Sequence, residues 1–175
     1  TNYHVICHSN PEEVVAVFPD HPTHSNTEFK LQLIAEDTLN DVAVLAVAEE
    51  LEPLNVPPAY ELRKGEEITV VGSPGTSGNR SLLNFPTDGR MGGEILDPCS
   101  DVRNWSLSLP VNGGNSGGPV VARYNGAVLG VVKSKPRSLE IEGHSFAVPH
   151  AALLHILDNA RDRFPATRQE ATSLH

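Results

Sequence analysis

The sequence predicts an all-β fold, a barrel or sandwich, followed by one C-terminal helix. Three observations predict it. Short runs rich in Val, Ile and Phe recur along the 175 residues, about ten in all. Turn signals separate them, among them Pro19-Asp20-His21-Pro22, Gly72-Ser73-Pro74-Gly75 and Asn125-Gly126. A helical period enters only after Pro149, where Leu153, Leu154, Ile156, Leu157, Ala160 and Phe164 form one apolar stripe.

Each element follows from its residues. Thr1 to Cys7 is apolar with one histidine inside and suits a strand end or short turn. Glu13 to Phe18 is β-branched and aromatic, a strand composition. Thr27 to Ala35 alternates apolar and polar, the period of a half-buried strand. Val42 to Val47 is a continuous apolar run, short enough for a strand buried on both faces. Glu67 to Val71 is a further strand after a Pro-containing connector. Ser81 to Phe85 and Arg90 to Leu96 are predicted to pair as a hairpin around Pro86-Thr87-Asp88-Gly89. Trp105 to Leu109, Gly118 to Ala122, Ala127 to Val132 and Ser145 to Val148 complete the strands. Pro149 suits a first helical position, and residues 166–175 read as a polar tail.

Composition narrows the function classes. With 39% hydrophobic and 20% charged residues, the chain suits one domain, or two small lobes sharing a core. A domain of about 150 residues buries about 70% of its unfolded surface, so no staple is required. The formal net charge is -9 and no Lys/Arg cluster occurs, which excludes a phosphate-tracking nucleic-acid surface. No apolar run approaches the roughly 20 residues that span a bilayer. Of the two cysteines, Cys7 and Cys99, neither lies in a C-x-x-C, so zinc-ribbon and thioredoxin-type readings fail. A Cys7–Cys99 disulfide needs an oxidising compartment, and two thiols are the favoured state.

The chemistry centres on Asn112-Gly113-Gly114-Asn115-Ser116-Gly117-Gly118-Pro119. So many glycines in one turn cost conformational entropy, and they are tolerated where φ is positive or another group approaches the backbone closely. Both needs arise if Ser116 is a nucleophile with backbone N–H groups aimed at a developing oxyanion. The competing reading is a Gly-rich hairpin loop with an incidental serine, and the stretch alone does not separate the two. A nucleophilic serine also needs a base and a group that orients the base. His4, His8, His21 and His24 are candidate bases, although a histidine in an apolar run such as His4 is more often structural. Asp37 and Asp41 are candidate orienting acids, and each reads equally as a turn former.

A family resemblance joins these residues. Thr1-Asn2-Tyr3-His4-Val5-Ile6 resembles the T-N-x-H-V-[IV] segment of trypsin-like serine proteases of the HtrA/Deg type. Asn40-Asp41-Val42-Ala43-Val44-Leu45 resembles their D-[LV]-A-[VL]-L segment, and residues 112–119 resemble N-x-G-N-S-G-G-P. Val71 to Gly75, Gly130 to Val132 and Gly143 to Pro149 are similar to later family segments, so the likeness runs from residue 1 to about 158. It implies two antiparallel β-barrels of the six-stranded, chymotrypsin-like type, with the site in the cleft between them. The partial first barrel would cover about residues 1–60, the second about 61–148, and the helix 149–164, within a peptidase domain of residues 1–165. The family places two or more strands before T-N-x-H-V, so the first barrel is expected to lack its opening strands.

The resemblance implies a serine endopeptidase that needs no cofactor and no metal. His4, Asp41 and Ser116 would be the catalytic triad, and Gly114, Asn115 and Ser116 would supply the oxyanion N–H groups, with Gly117 and Gly118 packed closely behind Ser116. Leu109, Pro110 and Val111 would line part of the primary specificity pocket, and without an acid there they favour an aliphatic side chain. Val132, Lys133 and Ser134 would pair with the substrate backbone. The partner is then a protein or peptide, with no nucleic acid and no membrane span, and a homo-oligomer is compatible. The residues leave the compartment open, the cytoplasm included, while the resemblance implies a periplasmic or otherwise extracytoplasmic one. The alternative is a trypsin-like scaffold that only binds, a pseudoprotease, against which the intact triad argues. An α/β-hydrolase esterase is excluded, because Gly114 to Gly118 lacks the strand-turn-helix context and the order Ser, acid, His.

Overall fold

The computed structural model describes residues 1–10, 13–19, 25, 27–76, 80–97, 100–133 and 143–172. In order these are α1 (Tyr3–Ile6), β1 (Val15–Val17), β2 (Glu28–Asp37), β3 (Val42–Val47), β4 (Glu67–Gly72), β5 (Gly75–Thr76) and β6 (Arg80–Ser81). There follow β7 (Phe85–Leu96), β8 (Arg103–Ser108), β9 (Pro119–Ala122), β10 (Val128–Lys133), β11 (Ser145–Val148) and α2 (His150–Thr172). The fold is mostly β with one long C-terminal helix, as the strand-and-turn pattern predicts. Among the described residues, no helix is long and apolar enough to cross a membrane.

The first half of the chain forms an antiparallel sheet in the order β1-β2-β3. Its alternation is broken once. The β2–β3 register shifts between Leu33 and Ala35, and the neighbours Ile34 and Ala35 are both buried there. A bulge adds one residue and re-aims the side chains that follow. The run Val42–Val47 is less enclosed than predicted: Val42 and Ala43 are buried, and the rest is half-buried.

The second half closes into a six-stranded barrel, β10-β11-β8-β7-β4-β9. Ile68, Val70, Met91, Trp105, Leu107, Leu109, Val120, Leu129 and Val132 fill its core. Burying such a side chain contributes about 1.5–3 kcal/mol relative to exposure. In the three-stranded sheet only Ile34, Ala35, Val42 and Ala43 are buried, so the barrel dominates the stabilisation. A second core joins the two layers, where Leu153, Ile156 and Ala160 of α2 cover Ile34 and Val42 of the sheet and Val128, Val131 and Val148 of the barrel.

Two expectations are corrected, the hairpin at Pro86 to Gly89 and the end of the terminal helix. Pro86-Thr87-Asp88-Gly89 is not a hairpin turn but lies within the single strand β7, with Val71 opposite Pro86 and Ile68 opposite Gly89. The β7–β8 ladder begins only at Arg90, so Pro86 is paired on its β4 side alone, as at an edge position where proline is tolerated. Of the strand end or short turn expected near Thr1, the structure has the turn: residues 3–6 form one helical turn, and Cys7 N–H donates to Tyr3 O at 3.0 Å. The terminal helix continues to Thr172, beyond the predicted end at residue 164. Cys99 lies outside the described residues, and with it the question of a Cys7–Cys99 disulfide.

Candidate active site

The site is built from two tight turns and one loop. The first turn links β2 to β3. Asp37 accepts hydrogen bonds from Asn40, on Oδ1 from its backbone N–H (2.9 Å) and on Oδ2 from its side chain (2.7 Å). This side-chain turn puts Asp41 in the left-handed region at φ 58, which aspartate tolerates better than most residues. The Asn2 side chain donates to Asp41 O at 2.9 Å and holds that peptide in place. Of the two candidate acids, Asp37 is thus the turn former, and Asp41 is the residue presented.

Asp41 holds His4 twice. Its Oδ1 accepts the His4 backbone N–H at 2.8 Å, and its Oδ2 lies 2.8 Å from His4 Nδ1. The backbone donor belongs to the first turn of α1, where no intrahelical acceptor exists. A carboxylate facing Nδ1 places the ring proton there, which leaves Nε2 with its lone pair. The Asp41 side chain is 15% exposed and that of His4 40%, so the carboxylate is the more enclosed of the two.

The loop around Ser116 is clamped from below. Asn112 O accepts Asn115 N–H at 3.2 Å, and Gly114 occupies φ +99, as in a type II turn. Gly113 O accepts from Gly75 N–H at 2.9 Å, Gly114 O from Ser73 N–H at 3.1 Å, and Asn115 O from Gly118 N–H at 3.0 Å. In a trans peptide the N–H points opposite the carbonyl. The clamps on Gly113 O and Asn115 O therefore turn the N–H groups of Gly114 and Ser116 outward. Among the described residues neither N–H has an acceptor, whereas that of Asn115 is engaged with Asn112. Of the three N–H groups, those of Gly114 and Ser116 are thus unengaged, and Asn115 buries its side chain against Gly72.

The loop also rests on its neighbours. A Cβ at Gly118 would overlap Val71 O, and one at Gly117 would lie 2.6 Å from Thr1 Oγ1. Thr1 and Ala43 exchange backbone hydrogen bonds of 3.2 and 2.9 Å. The residue after Ser116 therefore packs on a segment paired two positions beyond Asp41. Ser116 is half-buried, and no hydrogen bond joins it to His4 among the described residues. Such bonds are often long before substrate arrives.

The expected substrate residues divide. Leu109 belongs to the barrel core, Val111 packs half-buried against it, and Pro110 is exposed. Ser145, to which the sequence assigned no role, ties them together: its hydroxyl donates to Leu109 O at 2.6 Å and accepts from Val111 N–H at 3.0 Å. Val132 has a duty other than the expected one, because its N–H donates to Gly118 O at 2.8 Å and its carbonyl accepts from Gly117 N–H at 3.0 Å. Lys133 is paired opposite Phe146, and Ser134 lies outside the described residues. His8 is exposed near α1, while His21 and His24 lie outside the described residues. Asn2, Ser73 and Gly75 are positioning groups that the sequence pattern did not single out. Each lies inside a quoted motif, which was the available signal.

Residues 1–131 match the family model described as a trypsin-like peptidase domain. The chain is 30% identical over 171 residues to the serine protease HtrA-like of Staphylococcus haemolyticus, covering 90% of this chain and 25% of that protein. It is 30% identical over 172 residues to a probable periplasmic serine endoprotease DegP-like of Halomonas elongata, covering 93% of this chain and 32% of that protein. It is 27% identical over 135 residues to the serine protease Do-like HtrA of Bacillus subtilis, covering 72% and 29%. The chain thus spans about a quarter to a third of the length of these relatives. By its strands, its loops and its sequence, this chain belongs to the trypsin-like peptidase domain family.

Proposed function

We propose that the chain is a serine endopeptidase that cleaves peptide bonds through an acyl-enzyme, with Ser116 as nucleophile, His4 as base and Asp41 as the orienting acid. The observation that carries this reading is the pair of outward N–H groups on Gly114 and Ser116, fixed by the clamps on Gly113 O and Asn115 O. A glycine loop with an incidental serine has no need of two preset donors.

In this mechanism Ser116 Oγ attacks the scissile carbonyl carbon while His4 Nε2 takes the hydroxyl proton. The carbonyl oxygen becomes an oxyanion held by Gly114 and Ser116 N–H. Loss of one such donor costs about 3–4 kcal/mol in other serine proteases. The imidazolium, stabilised by Asp41 on its Nδ1 side, then protonates the leaving amine. Water, deprotonated by His4, hydrolyses the acyl-enzyme and restores Ser116. An aliphatic side chain before the cut is the specificity that Pro110 and Val111 suit. Relatives described as probable periplasmic endoproteases support an extracytoplasmic setting.

Digestion of casein and of a mixed peptide library by the chain and by Ser116→Ala tests the reading. The expected result is cleavage after aliphatic residues that vanishes in the variant. Equal cleavage by both proteins rejects Ser116 as the nucleophile, and cleavage after Lys or Arg rejects the aliphatic pocket.

A further inference from the structure

Strand β8 ends at Ser108, and its last rung with β11 is the pair Leu107–Ser145. Beyond that rung the chain runs through Leu109, Pro110 and Val111 into the loop that carries Ser116. Leu109 is 2% exposed, so its carbonyl needs a partner inside the protein. Pro110 has no N–H to offer, and Val111 lies past the end of the ladder. Ser145 serves both ends of this step with one side chain. Its Oγ donates to Leu109 O at 2.6 Å and accepts from Val111 N–H at 3.0 Å. A hydroxyl can do both, because it carries one donor and two acceptor lone pairs. Ser145 is itself fully buried, and the rest of its strand, Phe146, Ala147 and Val148, is buried and apolar. An alanine at this position would continue the apolar strand but leave Leu109 O and Val111 N–H unpaired.

The neighbouring strand holds the other side of the loop. β11 is bonded to β10, with Ala147 opposite Val132. Val132 donates to Gly118 O and accepts from Gly117 N–H. The chain therefore enters the loop fixed on β11 and leaves it fixed on β10. Between these stems, Gly113 O and Gly114 O accept from Gly75 and Ser73, and Asn112 O, next to Val111, accepts from Asn115 N–H. These anchors are all backbone to backbone, whereas Ser145 holds the entering stem by a side chain. Val111 and Gly114 are three positions apart, so a shift of the stem passes directly into the turn that aims Gly114 N–H.

We propose that Ser145 is a positioning residue for the Ser116 loop: by fixing Leu109 and Val111, its hydroxyl sets the stem from which the N–H groups of Gly114 and Ser116 are aimed. This rests on the triad reading above, in which those two groups receive the oxyanion. Being fully buried, Ser145 acts through the backbone it holds rather than on substrate. A misplacement of about 1 Å at a reacting centre costs about a hundredfold in rate. Outright loss of a donor costs about a hundred- to a thousandfold. A loosened stem is expected to cost less than either, about ten- to fiftyfold in kcat, with KM changed less than about threefold.

The test compares Ser145→Ala, which removes the hydroxyl, with Ser145→Thr, which keeps it. Peptide hydrolysis is measured well below the unfolding temperature of each variant. kcat is expected to fall in Ser145→Ala and to return in Ser145→Thr to within about threefold of the parent. A folded Ser145→Ala with the parent's kcat overturns the proposal, as does an equal fall in both variants, which marks a packing role. A second readout needs no turnover. In the Ser116→Ala background, the NMR resonance of the Gly114 amide is expected to move in Ser145→Ala and to return in Ser145→Thr. That of Gly126, in the turn between β9 and β10, is expected to stay in place. An unmoved Gly114 amide overturns the proposal. If it moves while neither the parent nor any variant hydrolyses peptide, the positioning role stands and the peptidase reading fails. If Ser145→Ala does not fold, Ser145→Cys takes its place, because a thiol nearly keeps the shape and weakens both bonds. A smaller fall in kcat and a smaller Gly114 shift are then expected, and the absence of both overturns the proposal.

Discussion

The carboxylate of Asp41 holds His4 by its main chain and its ring at once, Oδ1 on the backbone N–H and Oδ2 on Nδ1, each at 2.8 Å. One residue thereby sets both where the imidazole stands and which nitrogen faces the cleft. Asp41→Asn keeps the shape but offers an amide N–H toward Nδ1, which favours the wrong tautomer. The expected result is a fall in kcat of about ten-thousand-fold, with the folded far-UV circular dichroism unchanged. A fall of only a few fold would show that Asp41 does not orient the base.

Glycines in and beside the Ser116 loop differ in what stands behind them, and substitution separates them. A Cβ at Gly118 would overlap the carbonyl oxygen of Val71, a backbone atom that cannot swing aside, whereas a Cβ at Gly113 meets nothing within 4 Å. Gly118→Ala is expected to lose about 1–3 kcal/mol of stability in denaturant titration, and Gly113→Ala less than about 0.5 kcal/mol. Gly114→Val adds a φ of +99 to an overlap with Ser73 O and is expected to lose both stability and reaction with acylating agents. Equal effects at Gly113 and Gly118 would contradict the clamped loop.

Stability at high pH reports on Tyr60. Burial raises its hydroxyl pKa above the ordinary tyrosine value, and the hydrogen bond it donates to Glu66 raises it further. A raised folded value means that the unfolded chain ionises first. The stabilisation is therefore complete below about pH 10 and is lost as pH climbs from there toward the folded value. Between pH 9 and pH 11 the unfolding midpoint of the parent is expected to fall more steeply than that of Tyr60→Phe. Parallel curves would show that Tyr60 does not govern the alkaline loss.

Much of this architecture is legible in local sequence. Val42–Val47 and Ser145–Val148 are strands at the predicted residues, because β-branched and aromatic runs have few other uses in a short chain segment. Local reading fails where tertiary pairing decides. Pro86 to Gly89 carries the composition of a turn, yet β4 pairs with it throughout. Tyr3 to Ile6 has strand propensity, yet it forms a helical turn whose His4 N–H is taken by Asp41, 37 positions away. The triad candidates rest on motif likeness rather than on residue chemistry, since alone His4 reads more readily as structural and Asp41 equally well as a turn former. The clamp of Ser73 and Gly75 on the loop depends on a contact across about 40 residues of chain, which no local periodicity encodes.

Everything proposed for the cleft turns on Ser116 being an activated nucleophile, and covalent labelling reads that property without a substrate. A fluorophosphonate needs both an ionisable serine hydroxyl and an oxyanion site, so it reports on the whole arrangement whatever the natural substrate. The expected result is labelling at Ser116, found by mass spectrometry of the digested protein, that disappears in Ser116→Ala and drops sharply in Asp41→Asn. Folded chain that takes up no label, or takes it up equally in Ser116→Ala, would show that Ser116 is not activated and that the triad does not operate.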